Sequence, residues 1–263
     1  MRLSVRAGAV ALSVVLADIG AAQDMMRHVD LGSPDMTMAE MTRADLERLL
    51  SAATGPVDLG GKRLSGLDLS GLDLSGANFR AARLNRTRLA GARLDNAVLD
   101  QAWLLDADLS RASLKGASLF AAQMQRARLD GADLSDARIA ADLTGASLVG
   151  ASLERAKLGA DMRNQSMGLM RAVLRSANLA GVNARGADLS RVDLEFASLE
   201  GADLTGATLM GATLGGANLT AVTVVAADFQ NADLVSARLV RPIGLEAARN
   251  FDKARNVERL LRE

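Results

Sequence analysis

The chain has 263 residues, 49% of them apolar, and its 31 Lys and Arg cancel its 31 Asp and Glu. That is enough apolar mass for a core in one or two domains, with no global field to draw in nucleic acid or a membrane surface, and 43 Leu residues exclude disorder. Aromatics make up only 2%, Cys is absent and His28 is the single histidine, which removes disulfides, thiolate metal sites, Cys nucleophiles and most chemistry near neutral pH.

Residues 1–22 read as an export signal: Arg2 and Arg6, an apolar stretch from Ala7 to Ala17, then Gly20-Ala21-Ala22 before Gln23. Asp18 departs from the pattern. The expectation is a periplasmic or secreted protein with no stable membrane insertion after cleavage, the alternative being a cytoplasmic chain with a disordered tail. Residues 23–41 form a Met-rich linker holding Met25, Met26, His28, Met36, Met38 and Met41. Thioethers with one imidazole suit Cu(I). Without a repeated Met motif the simple linker is the stronger reading, and no cofactor is assigned. In residues 42–55, Thr42-Arg43-Ala44-Asp45 resembles a capping box and Leu46, Leu49 and Leu50 give an amphipathic helix ending near Gly55 and Pro56.

From Leu59 a large apolar residue recurs every five positions: Leu64, Leu69, Leu74, Phe79, Leu84, Leu89 and on to Ile139, then Leu143 to Leu158, then Leu174 to Leu239. Two residues before most of these stands Ala. On an α-helix of ~3.6 residues per turn such a series would circle the surface, and on a straight strand it would alternate between faces. Only a chain that turns a corner every five residues points each Leu inward. Ala and Leu then share the inner face, the residue between them points out, and the frequent Gly two after Leu (Gly61, Gly66, Gly71, Gly76) marks the corner. The result is a narrow solenoid of coils stacked at ~4.8 Å.

Segments such as Ala132-Asp133-Leu134-Ser135-Asp136, Ala202-Asp203-Leu204-Thr205-Gly206 and Ala217-Asn218-Leu219-Thr220-Ala221 resemble the A-(D/N)-L-x-x unit of pentapeptide-repeat proteins. The resemblance covers residues 57–241. It implies an all-β fold, a right-handed quadrilateral β-helix with one coil per four pentapeptides, hence roughly nine coils, with short capping helices at both ends. One residue is missing between Ile139 and Leu143, and the stretch 159–173 breaks phase, lacks the Ala/Leu pattern and is expected to bulge or loop from one face; a drifted repeat is favoured there over a functional loop. Residues 242–263, opening at Pro242, carry Leu245, Ala248, Phe251, Ala254, Val257, Leu260 and Leu261 at helical spacing. They are expected to form a helical cap, or a homodimer contact, since relatives in the family pair through C-terminal elements.

Charge is uneven along the repeats. Arg80, Arg83, Arg86, Arg88 and Arg93 have no acid among them, whereas Asp188, Asp193, Glu195, Glu200, Asp203, Asp228 and Asp233 share a window with Arg191 alone. A twenty-residue coil stacks Asp68, Arg88, Asp108 and Arg128 in one column and sets Arg83 beside Trp103 within cation–π range. No paired carboxylates, triad, phosphate loop or zinc spacing stands out. The expectation is a non-enzymatic, exported scaffold that binds a protein or envelope partner, with no direct nucleic-acid binding. Two alternatives are a DNA mimic, which the resemblance implies for the branch acting on type II topoisomerases and for which the acidic strip speaks, and a periplasmic copper-binding protein.

Overall fold

A computed structural model describes residues 29–160 and 170–262. The expected export signal, Met25, Met26 and His28 lie outside the described residues, as do residues 161–169 of the irregular stretch.

The residue between Ala and Leu in each pentapeptide forms a parallel bridge, in most repeats to the residue twenty positions on. Four ladders result. Face 1 begins Asp58, Asn78, Val98 and reaches Arg249. Face 2 runs from Arg63 through Trp103 and Gln123 to Arg255. Face 3 runs from Asp68 to Leu261, and face 4 from Asp73 to Ile243. The inner Ala and Leu are sealed from solvent as one continuous core, with Phe79 and Phe229 taking Leu positions. Each buried Leu contributes about 2 kcal/mol by removal of apolar surface from water.

The backbone amides show why five residues suffice. Arg83 N–H donates down to the Lys62 carbonyl (2.8 Å), Leu84 N–H up to Trp103 (2.6 Å), Arg86 N–H up to Leu105 (2.8 Å), and Thr87 N–H closes the corner on Leu84 (3.2 Å). Four amides of five thus bond to backbone in every regular side, and the fifth, two after the bridge, is left for a side chain. The corner residue, three after the bridge, is left-handed in the regular sides, Gly61 at φ 65° but also Ala81 at 56° and Arg86 at 56°, and is not so at Ala141 and Ala160 in the two irregular ones. Gly is the unstrained choice there, yet twenty non-Gly residues among those described have positive φ.

Before the tube come α1 (Pro34–Thr37) and α2 (Arg43–Ala52). Thr42 caps α2 reciprocally with Asp45, and Leu46 is buried against the first coil. Arg43 fastens the helix by donating to the Asp68 and Ser70 carbonyls at 3.0 and 3.2 Å.

Three local expectations need correction or sharpening. At the missing residue, the step from Arg138 to Asp142 is four positions, and the ladder still closes because Gln123 bridges Asp142. At the irregular stretch, face 1 holds Lys157 and the next bridge, on face 2, is Val173, so sixteen positions separate two bridges that stand five apart in a regular side. Its two ends meet, since Ala172 N–H donates to the Leu158 carbonyl at 3.0 Å. The C-terminal tail is not an α-helical cap. Ile243, Arg249, Arg255 and Leu261 extend the four ladders at six-residue spacing, with 3₁₀ turns at Leu245–Ala247, Phe251–Lys253 and Val257–Arg259. Gly244, Asn250 and Asn256 directly after the bridges are left-handed, a conformation Asn tolerates. Leu245, Ala248, Phe251, Ala254, Val257 and Leu260 face inward, and Phe251 meets Phe229 edge-on at 5.4 Å.

Candidate interaction surfaces

Most wall side chains are engaged in building the corners. The bridge-position Asp or Asn accepts the fifth amide: Asp108 takes Ser110 N–H at 3.0 Å, Asp203 takes Thr205 N–H at 2.9 Å, and Asn218 takes Thr220 N–H at 3.1 Å. At the bridge residues Ser113, Ser118 and Ser147 a carboxylate from the coil below substitutes, whereas Ser152 Oγ itself accepts Glu154 N–H at 3.4 Å. Asp100 accepts Phe120 N–H at 3.1 Å beside Ser118, Asp130 accepts Val149 N–H at 3.1 Å beside Ser147, and Asp95 does the same for Lys115 beside Ser113. Asn85 supplies Leu105 N–H in this way under Trp103.

The basic run wraps the tube instead of forming a patch. Arg83, Arg88 and Arg93 lie on faces 2, 3 and 4, Arg86 is a corner residue and Arg80 stands one position before the corner at Ala81. Arg80 pairs with Asp100 (3.3 Å), Arg88 with Asp68 (3.1 Å) and Arg93 with Asp73 (3.2 Å), each across one coil. Asp68, Arg88, Asp108 and Arg128 do form one column on face 3. Arg83 is next to Trp103 on face 2, but its Nη1 donates to the Gly61 carbonyl at 3.4 Å.

The acidic run is likewise divided. Asp188 and Asp228 are on face 1, Asp193 and Asp233 on face 2 and Asp203 on face 4, with Glu195 and Glu200 at corners. Arg175 pairs with both Asp193 (2.9 Å) and Glu195 (2.8 Å), Arg185 with Asp203 (2.9 Å) and Arg255 with Asp233 (3.7 Å). Asn218 donates to Glu200, Asn250 to Asp228, and Ser190 N–H to Asp188. Burial pushes the Asp228 carboxyl up, but the Asn250 and Gln230 hydrogen bonds outweigh it and the net shift is downward. These are corner and rung contacts distributed over the perimeter, not one anionic face.

Of the Met candidates that are described, Met36 is buried, Met41 packs against the core and Met38 is exposed, so the structure does not present the three together at the surface. A residue that sequence reasoning missed stands out instead. Phe196, at the corner between faces 2 and 3, is 64% exposed and left-handed at φ 59°. Its ring lies over Gly216, where an added Cβ would come within 2.7 Å of it. The left-handed backbone is that of every regular corner; what sets Phe196 apart is a large apolar ring left open to solvent.

The profile of the pentapeptide repeats matches the chain in eight copies, over residues 63–101, 104–136, 169–206 and 187–224. Among solved structures, the chain is similar to HetL, a pentapeptide repeat protein involved in heterocyst differentiation regulation from the cyanobacterium Nostoc sp. strain PCC 7120. Identity is 29% over 80% of this chain and 94% of that one, with a TM-score of 0.45. It is also similar to Rfr23 from the cyanobacterium Cyanothece 51142, 30% identical over 46% of this chain and 91% of that one, TM-score 0.25. A pentapeptide repeat protein from the Arabidopsis thaliana thylakoid lumen is 27% identical over 52% of this chain and 70% of that one, TM-score 0.27. No curated protein matches the chain.

Proposed function

Because the chain belongs to the pentapeptide-repeat family, we propose that it is an exported, non-catalytic scaffold that binds a protein partner through the outer wall of a right-handed solenoid. Right-handed winding is the sense that parallel connections in a twisted sheet favour. Export is inferred from the composition of residues 1–22. The observation that carries the scaffold reading is Phe196: a large aromatic side chain, 64% exposed, presented on a rigid corner of the wall. The exposed side chains of Ile243 and Leu261, 56% and 53% accessible on the last rungs, support pairing of two copies through the C-terminal end.

A photo-crosslinking amino acid at Phe196, and at the exposed Arg138 on face 1 as control, tests the scaffold reading in the producing cell. A discrete protein adduct from Phe196 and none from Arg138 is expected. Equal adducts from both, or none from either, would remove it. For export, mass spectrometry of the mature chain is expected to begin near Gln23, and an intact Met1 overturns that part.

A further inference from the structure

The described N-terminal segment climbs the outside of the tube at the corner between faces 2 and 3. Glu40 N–H donates to the Arg63 carbonyl at 2.9 Å in the first coil. Asn85 Nδ2 donates to the Met36 carbonyl at 3.1 Å one coil higher, and Leu31 shares a cleft with Leu105 and Arg126 beyond. The segment adds no rung to any ladder; the bridges begin at Asp58.

Its contacts are those of a bound peptide: one buried anchor between two carboxylates. Met36 is buried. Asp35 reaches Arg63 Nη1 at 2.9 Å, and Glu40 reaches Lys62 Nζ at 2.9 Å and Arg63 Nε at 3.3 Å. The Lys62 hydrogen bond, chiefly, holds the Glu40 carboxyl below its usual range. The receiving wall is built for an occupant. Asn85 spends Oδ1 on the Leu105 amide, which aims Nδ2 outward at an acceptor. Ser65, Asn85 and Leu105 are buried, whereas Arg80 at the equivalent position of face 1 is open to solvent. When the segment opens, α2 keeps its own anchors in Arg43 and Leu46.

We propose that this corner is a binding site for an extended acidic peptide with a methionine-like anchor, and that residues 30–41 occupy it as an exchangeable strap. A partner segment that presents a carboxylate, an adjacent unbranched apolar side chain and a second carboxylate four residues on replaces the strap. The site names the chemistry of the partner in the scaffold reading and rests on it.

The test uses the full chain and a fluorescein-labelled peptide of residues 30–41. Met36→Asp dislodges the strap, and that chain is expected to bind the peptide at least tenfold more tightly than the wild type. Adding Arg63→Glu is expected to abolish binding. Trp103, the only Trp, sits on face 2 two residues before Leu105. Its emission should change in Met36→Asp and return when peptide is added. Equal peptide binding by wild type and variant, or none by a folded variant, overturns the proposal. Should Met36→Asp not fold, the chain with Asp35→Lys and Glu40→Lys keeps Met36 and is held to the same outcomes. Strap exchange without Phe196 adducts would remove the scaffold reading alone; adducts without exchange would remove the strap alone.

Discussion

The Asp100 carboxylate reaches up one coil to take the Ser118 hydroxyl at 2.5 Å, and the same oxygen accepts Phe120 N–H at 3.1 Å. It performs from below the task that a bridge-position Asp performs within its own coil. Asp100→Ala leaves that amide without its acceptor and is expected to cost about 1–3 kcal/mol in chemical denaturation. Ser118→Asp in the same chain restores an acceptor and should recover most of the loss. Failure of the second substitution to rescue the first would show that the fifth amide does not need a side chain.

Left-handed corners give a second prediction. Gly206 has φ 68° and open space where a Cβ would stand, and the chain already carries Ala81 and Ala221 at similar corners. Gly206→Ala should therefore cost only about 1 kcal/mol, the left-handed penalty alone. Gly244 has φ 73°, and a Cβ there would fall 2.2 Å from Val225 Cγ2. Gly244→Ala adds overpacking of roughly 1–3 kcal/mol to the same penalty. Equal melting temperatures for the two variants would contradict the close packing of the last coil on Val225.

What the sequence reveals about this molecule is set by repetition. Inward Leu, outward Asp and the twenty-residue register are legible because each error would recur along the whole tube, so the column from Asp68 to Arg128 could be placed without coordinates. Features present once are not. The tail's Ala248-Arg249-Asn250 and Ala254-Arg255-Asn256 repeat at six, but its apolar spacing of three and four also fits an α-helix, and only the ladder separates the two. The acidic run reads as unpaired along the chain because Arg175, Arg185 and Arg255 lie before or after it in sequence, one coil away in space. Phe196 gave no signal beyond its position two after Leu194, where Gly is the usual residue.

Acid should unfold the tube. Ser70 through its hydroxyl and amide, then Arg88, hold Asp68 at about 2 against an ordinary 3.8. Ser75 lowers Asp73 and Arg126 lowers Asp106 in the same direction. A carboxyl depressed in the folded state stabilises fully above its unfolded value and loses that contribution as pH falls through the folded one. With one His and no Cys or Tyr in the sequence, the melting temperature should be nearly flat from about pH 5 to 9 and fall between about pH 4 and 2. Asp68→Asn should shrink the acid drop. A melting temperature unchanged at pH 2.5 would deny these carboxylates their part in the wall.

The stretch between Lys157 and Val173 offers the sharpest test of the register. Removing residues 161–171 joins Ala160 to Ala172 and returns the spacing from Lys157 to Val173 to five. Ala160 then occupies the corner position, three after the bridge, and has to turn left-handed there, the conformation Ala81 holds at φ 56°. The corner hydrogen bond from Ala172 to Leu158 is in place at 3.0 Å, the length of its counterpart from Ala177 to Leu174. Ala160 N–H also already donates to the Ser190 carbonyl at 3.2 Å, as a corner amide should. The shortened chain therefore needs no new contact but one backbone change, Ala160 turning left-handed at a cost of about 1 kcal/mol, which loop closure over fewer residues offsets by roughly 1 kcal/mol. It is expected to fold with an unchanged circular dichroism spectrum and a melting temperature close to that of the full chain. A collapse in stability would mean that the removed residues hold the sixth and seventh coils together, and the register from Asp142 to Val173 would have to be redrawn.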